Sequence, residues 1–211
     1  MRCVIIANGS MDNYVWGRHE VTSYDLRICA DGGARHFLGM ELVPDAIIGD
    51  LDSLDPVIEE FFIAKGVKFV KFPPQKDSTD MELAVEYALA QGAKEIALLG
   101  ALGRRLDHSL ANILLLVALA KRGVLARIID EHNEVRVCHE STTIEGRAGE
   151  LLSVIPLSEK VEQISLEGVK YQLKDATMRL GSSLGVSNEF IASTATITFA
   201  AGILLLIKSK D

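Results

Sequence analysis

The chain has 211 residues, of which 48 % are hydrophobic and 24 % charged, and it carries a net charge of −7. That balance fits one large or two small globular domains with a real core. It offers no basic stripe to a nucleic-acid backbone and no apolar helical run long enough to cross a bilayer, so partners of both kinds are excluded. Three cysteines, Cys3, Cys29 and Cys138, show no paired spacing. Buried free thiols in a reducing, cytoplasmic compartment are therefore expected.

The opening stretch, residues 2–7, reads as a strand covered on both faces and not as a signal peptide. Asn8-Gly9 turns it. Residues 11–21 give no clear pattern, and Trp16 reads as core or as a lid. A second strand over 27–30 ends at Asp31-Gly32-Gly33-Ala34, where paired glycines permit close backbone approach before a helix starts. A third strand over 45–49 runs into Asp50-Leu51-Asp52. Asp55-Pro56 then opens a helix with proline at its first position, closed by Lys65-Gly66. The fourth strand, 67–72, alternates Val/Phe with Lys, which places it near a sheet edge. After a Pro73-Pro74 turn, Thr79 and Glu82 form a capping-box pair for a helix to about residue 91, with Leu83, Ala84, Tyr87 and Ala88 as its apolar face. A fifth strand over 95–99 leads to Gly103-Arg104-Arg105-Leu106-Asp107-His108 and the longest helix, to residue 122; a sixth strand covers 126–130.

Beyond residue 133 the pattern changes. Short β-branched or alternating runs at 135–139, 151–155, 163–166, 176–180, 194–199 and 203–207 predict an all-β unit, with the last two as a terminal hairpin. The loop 181–190 is rich in glycine and hydroxyls, and reads either as a binding loop or as a solvated connection. The predicted fold is a mostly parallel α/β sandwich domain over residues 1–133, followed by an all-β sandwich domain over 134–211.

The chemistry lies in carboxylates placed just after strands. In open α/β sheets the loops leaving the carboxyl ends of strands converge on the ligand crevice. Asp31, Asp50, Asp52, Asp77, Asp80 and Asp107 all fall there, a pool suited to Mg²⁺ and to phosphate held through it. Arg105 and His108 stand at a helix start, where N–H groups and the dipole favour an anion. Capping explains Thr79 and Glu82, an N-terminal carboxylate at Asp80 is stabilising by itself, and Arg105–Asp107 also reads as a surface salt bridge. No P-loop, dinucleotide fingerprint, His-Glu-x-x-His or Gly-x-Ser-x-Gly occurs. Metal-assisted phosphoryl or pyrophosphoryl transfer remains, with the acceptor unspecified.

The ordered set Ala30-Asp31-Gly32-Gly33-Ala34, Gly49-Asp50-Leu51-Asp52-Ser53, Lys76-Asp77-Ser78-Thr79-Asp80, Gly103-Arg104-Arg105-Leu106-Asp107-His108 and Gly185-Val186-Ser187-Asn188 resembles the thiamine pyrophosphokinase family across nearly the whole chain. The resemblance implies transfer of a pyrophosphoryl group from ATP to the thiamine hydroxyl, with Mg²⁺, in a homodimer whose thiamine site lies at the subunit interface. It implies Asp50, Asp52 and Asp80 as metal carboxylates, and these with Arg105 and Asp107 as the catalytic set. Asp31, Gly32, Asp77, Arg105, Asp107 and His108 would contact ATP, and Ser187 and Asn188 thiamine. Arg104 stands where the family commonly has glycine. The aromatic that stacks on thiamine in some relatives has Phe190 as its nearest counterpart. Two alternatives stay open: a nucleotidyl transferase or phosphohydrolase using the same carboxylates, and a non-catalytic thiamine- or nucleotide-binding regulator.

Overall fold

The structure, a computed structural model, describes residues 1–52, 54–73 and 77–210. Ser53, the Pro74 half of the expected turn and Lys76 of the fourth-strand motif lie outside the described residues. Two compact units emerge: Met1–Leu115 with Val124–Glu131, and Leu116–Gly123 with His132–Asp211.

In the first unit, apolar runs bounded by glycine or a carboxylate form strands, and capped amphipathic runs form helices. The elements are β1 (Arg2–Ile6), α1 (Tyr14–Val21), β2 (Leu26–Ala30), a 3₁₀ turn (Asp31–Gly33), α2 (Ala34–Gly39), β3 (Ala46–Gly49), α3 (Pro56–Ala64), β4 (Lys68–Lys71), α4 (Asp80–Ala90), β5 (Glu95–Leu99), α5 (Leu106–Lys121), whose residues from Leu116 onward belong to the second unit, and β6 (Leu125–Ile129). Its strands pair in the order β6-β5-β1-β2-β3-β4, all parallel. β4 is the edge, as its lysines require. β1 is where the winding reverses: β2 to β4 build outward on one side, β5 and β6 on the other. The carboxyl ends of β1 and β5 thus form the switch point at which ligands bind in such sheets.

Helix ends follow their sequence signals. Asp55 caps α3 through the Val57 N–H, with Pro56 at the first position. Thr79 and Glu82 form both bonds of the capping box on α4. Gly66 and Gly92 take the left-handed conformation just past their helices. Residues 11–21, unassigned from sequence, contain α1, capped by Asn13 through the Trp16 N–H. Trp16 is a partly buried residue packed on the core. The buried face of α4 is Met81, Ala84, Val85 and Ala88, while Leu83 and Tyr87 are only half-buried. The face is rotated from the expected one, because Ala84 and Ala88 let the helix settle closely on β1, β2 and β3.

The second unit contains β7 (Asn133–Cys138), β8 (Thr142–Glu145), β9 (Leu151–Pro156), β10 (Lys160–Glu167), β11 (Leu173–Arg179), β12 (Asn188–Glu189), β13 (Thr194–Thr198) and β14 (Leu204–Ser209). Antiparallel neighbours β12-β9-β14-β7 form one layer and β11-β10-β13-β8 the other. One core joins them, with Val154 and Leu206 from the first layer and Ile164 and Ile197 from the second. The expected terminal hairpin does not form. β13 pairs with β10 and β8, whereas β14 pairs with β7 and β9. Period-two alternation is the same for a hairpin and for a strand that changes layers. Here Ala200 and Ala201 stay bonded to Glu162 of β10 before the chain crosses. β8 and β12 were not legible either, being short and largely polar. No helix of the described residues is long and apolar enough to cross a membrane.

Candidate active site

A cavity of about 760 Å³ opens at the switch point of the first unit. Such a volume suits a nucleotide-sized ligand. The loop after β1 supplies Asn8 to Asp12, and the loop after β5 supplies Gly100 to Arg105. The two loops are bonded to one another: Gly9 N–H donates to Gly100 O at 2.7 Å and Ser10 N–H to Leu102 O at 2.9 Å. A Cβ on Gly9 would come within 2.3 Å of both Gly100 O and Leu102 O, so glycine is required for this approach.

An acidic cluster reaches the cavity through Asp31, while its other two members, Asp50 and Asp52, are not among the lining residues. Asp31, Asp50 and Asp52 each bring a carboxylate oxygen within 4.8 Å of the others. β2 delivers Asp31 on the 3₁₀ turn, and β3 delivers Asp50 and Asp52 one residue apart. Asp31 and Leu51 both adopt left-handed backbone, with φ of 43° and 66°. That conformation is costly for residues with a Cβ, and it recurs where a loop must present side chains. Gly49 is the floor. A Cβ there would lie 3.0 Å from Asp31 Cβ and 3.2 Å from Asp80 Oδ1, which shows how closely Asp80 of α4 approaches the same point. The converging set is therefore Asp31 with Asp50 and Asp52, and Asp80 stands beside it. The close approach made by the Gly32-Gly33 pair is to protein: a Cβ on Gly33 would meet Ile6 O at 2.2 Å, and one on Gly32 the Asn8 amide at 2.5 Å.

Of the expected nucleotide contacts, Asp31, Arg105 and His108 line the cavity, together with Asp80; Gly32, Asp77 and Asp107 do not. Arg105 and Asp107 grip each other in a two-pronged pair, Nη2 to Oδ2 at 2.6 Å and Nε to Oδ1 at 3.2 Å, both largely exposed. The Arg105 bond, helped by the His108 backbone N–H, holds the Asp107 carboxyl at about 2. Arg104 is not among the residues with left-handed φ, so its side chain carries no backbone strain in that loop.

Sequence reasoning missed several wall residues. Ser109 and Asn112 are buried polar residues on α5. Asn112 Nδ2 donates to Ala101 O at 2.7 Å, and Ser109 Oγ accepts from Gly103 N–H at 3.1 Å. They pin the arginine-bearing loop, and their i, i+3 spacing on an otherwise apolar helix was the available signal. Arg35 and His36 of α2 also line the cavity. Burial depresses the His36 pKa below the ordinary histidine value.

In the second unit, Asn188 is buried and bonded to backbone through both its oxygen and its nitrogen. Its Oδ1 accepts from the N–H groups of Tyr171 and Glu189, and its Nδ2 donates to Tyr171 O at 2.8 Å. Ser187 is exposed in left-handed backbone, φ 55°. Phe190 is fully buried against Gly146, so its ring is a core element and presents no stacking face.

Fold and site define a class: an α/β protein with an acidic cleft at the switch point of its parallel sheet, followed in the chain by a β-sandwich. A profile of the thiamin pyrophosphokinase catalytic domain matches residues 18–128, and one of the thiamin pyrophosphokinase vitamin B1 binding domain matches residues 138–204. The chain is 32 % identical to the thiamine pyrophosphokinase of Bacillus subtilis over the full length of both. It is 28 % identical to thiamine pyrophosphokinase 1 of Oryza sativa subsp. japonica, over 99 % of this chain and 87 % of that one. Among solved structures, the thiamine pyrophosphokinase of Bacillus subtilis superimposes with a TM-score of 0.88 at 31 % identity, covering 100 % of both chains. The thiamin pyrophosphokinase of Geobacillus thermodenitrificans does so with a TM-score of 0.86 at 33 % identity, covering 100 % of this chain and 98 % of that one. The chain belongs to the thiamin pyrophosphokinase family.

Proposed function

We propose that the protein transfers the pyrophosphoryl group of ATP to the hydroxyl of thiamine, giving thiamine diphosphate and AMP. One observation carries the reading beyond family membership: three carboxylates converge, and one of them, Asp31, stands on the wall of a nucleotide-sized cavity that also has arginines on its wall. Carboxylate oxygens alone are the donor set a hard divalent cation takes, so the residues fit Mg²⁺. Asp31, Asp50 and Asp52 would hold it, with Asp80 adjacent. A bound Mg²⁺ would supply charge neutralisation at the polyphosphate oxygens.

The chain's own groups do the remaining work. The thiamine hydroxyl oxygen forms a bond to the β-phosphorus while the bond from that phosphorus to the α,β-bridging oxygen breaks. AMP leaves with the electron pair. Arg105 neutralises charge that builds on the transferred group. The hydroxyl proton passes to a carboxylate. Asp107, held at about 2, is too weak a base for that. Asp80, which lines the cavity, is the better-placed acceptor. Asp31 and His108 contact ATP. Gly32 and Asp77 act on the same side through the shape of their loops.

Residues 1–133 form the catalytic domain and residues 134–211 the thiamine-binding domain in this reading. Ser187 offers its hydroxyl to thiamine, and Asn188 shapes the loop that presents it. The active protein is a homodimer with the thiamine site at the subunit interface; exposed Leu180, Leu184, Val186 and Ile191 around that loop support a covered face. Its three free cysteines, two of them buried, suit the cytoplasm.

The test is AMP release from ATP and Mg²⁺, with and without thiamine, on wild type and Asp52→Asn. Thiamine-dependent AMP that disappears in the variant is expected. AMP or ADP formed regardless of thiamine would replace the reading with a hydrolase, and thiamine binding without turnover would replace it with a regulator.

A further inference from the structure

We propose that Arg35 is an additional anion-binding residue of the nucleotide cavity, contacting the phosphate chain from the α2 wall; this rests on the ATP reading above.

The anion-binding groups expected from the motifs, Arg105 and His108, come with Arg104 from one place, the loop and first turn of α5. Arg35 lines the same cavity from a different element. It is the second residue of α2, just beyond Asp31 and the glycine pair. Its side chain is fixed. One guanidinium nitrogen, Nη2, donates to Asn8 O at 2.9 Å and to Gly9 O at 3.1 Å. Gly9 O is gripped a second time by the neighbouring His36, whose Nε2 stands 2.9 Å away. His36 Nδ1 is 3.1 Å from the Tyr14 hydroxyl. Nε2 then carries the proton toward Gly9, and Nδ1 accepts from Tyr14. This is the arrangement of the neutral imidazole, the form that burial favours.

The carbonyls that hold Arg35 belong to a loop that cannot move freely. Gly9 is packed against the backbone of Gly100 and Leu102 on its other side. Arg35 is thus an exposed arginine whose guanidinium is anchored at one nitrogen. Two carbonyls occupy one nitrogen, which leaves Nε and Nη1 as donors on the planar group. A guanidinium with a pre-set plane and free donor edges loses little entropy when it meets phosphate oxygens. The cavity also holds Asp31 and Asp80, so a polyanion entering it needs cations on more than one wall. Arg105, meanwhile, is engaged with Asp107. Among the described residues, Arg35 has no carboxylate partner competing for it.

The experiment measures ATP affinity by equilibrium dialysis with Mg²⁺ and no thiamine, then KM for ATP and for thiamine in the full reaction. It compares wild type with Arg35→Ala, Arg35→Gln and Arg35→Lys, with thermal unfolding recorded for each. Arg35→Gln retains an N–H donor for the Gly9 carbonyl without the charge. Expected are a rise of about tenfold in the ATP dissociation constant and KM for both Ala and Gln variants, a smaller rise for Lys, and an unchanged thiamine KM. The wild-type affinity is expected to fall more steeply with salt than that of Arg35→Gln. Two results overturn the proposal: ATP affinity within twofold of wild type in both Ala and Gln variants, or loss in Arg35→Ala fully restored by Arg35→Gln, which would make Arg35 a carbonyl anchor only. Failure of the enzymatic reading shows separately, as absence of thiamine-dependent AMP in the wild type while ATP binding still reports on Arg35.

Discussion

The two loops that deliver the family's most distinctive motifs use their polar side chains in opposite ways. After β3, Asp50 and Asp52 converge with Asp31, which lines the cavity, and backbone strain at Leu51 and Asp31 serves to present them. In the β-sandwich, Asn188 sits in an equally recognisable motif but turns its amide oxygen and nitrogen to the backbone of Tyr171 and Glu189. The difference is one of surroundings. Carboxylates at a parallel-sheet crevice remain chemically available, whereas an amide buried among strands has to satisfy buried N–H and C=O groups first. The first motif carries reactivity and the second carries shape.

That contrast can be broken by mutation. Asp52→Asn is expected to leave the unfolding midpoint nearly unchanged and to lower the rate of AMP formation by roughly a thousandfold, the scale of losing a main electrostatic group. A drop in stability with retained turnover would reverse the assignment. Asn188→Ala is expected to show the opposite profile: a loss of about 2–4 kcal/mol in denaturant unfolding, because Tyr171 N–H and C=O lose their partner. Ser187→Ala, at an exposed position, should cost less than about 0.5 kcal/mol. If Asn188→Ala unfolds like wild type but no longer binds thiamine, its amide contacts the ligand after all.

Gly49→Ala sharpens the first half of the comparison. Its methyl would press between Asp31 and Asp80, at 3.0 Å and 3.2 Å. Activity should fall about tenfold or more while the loss of stability stays near 1–3 kcal/mol, the range for overpacking. Wild-type activity in this variant would show that the carboxylates tolerate displacement.

The smallest effect concerns pH. His36 has a folded pKa below its ordinary value, so the unfolded chain binds more protons as pH falls from 7 through the mid-6 range. Stability contributed by neutral His36 is therefore present at pH 7 and declines on acidification, and His36→Gln should flatten that part of the stability profile. Asp107, at about 2, contributes no pH dependence above pH 5; its pairing with Arg105 is lost only as pH falls through about 2. A stability profile between pH 5 and 7 that is identical in wild type and His36→Gln would show that another group titrates there.

Much of the α/β unit was legible because its signals are local. Strand ends, the Asp55-Pro56 start, the Thr79–Glu82 box and the left-handed glycines after helices are each fixed by neighbours within a few residues. The carboxylates could be located one loop at a time for the same reason. What sequence could not supply was adjacency. That β1 lies between β2 and β5, and so makes the Asn8-Gly9 loop a cavity wall, follows only from strand order. That Arg35 and His36 clamp Gly9, and that Ser109 and Asn112 hold the arginine loop, follows only from contacts across the fold. The β-sandwich shows the limit most plainly. Alternation announced strands, but the same alternation serves a hairpin or a change of layer, and only long-range pairing put β13 and β14 in different layers. Sequence determined the local conformations and the chemical inventory, because short-range sterics and hydrogen bonds dictate them. Tertiary structure decided which groups meet and which are left free to act, because burial and pairing are properties of distant residues brought together.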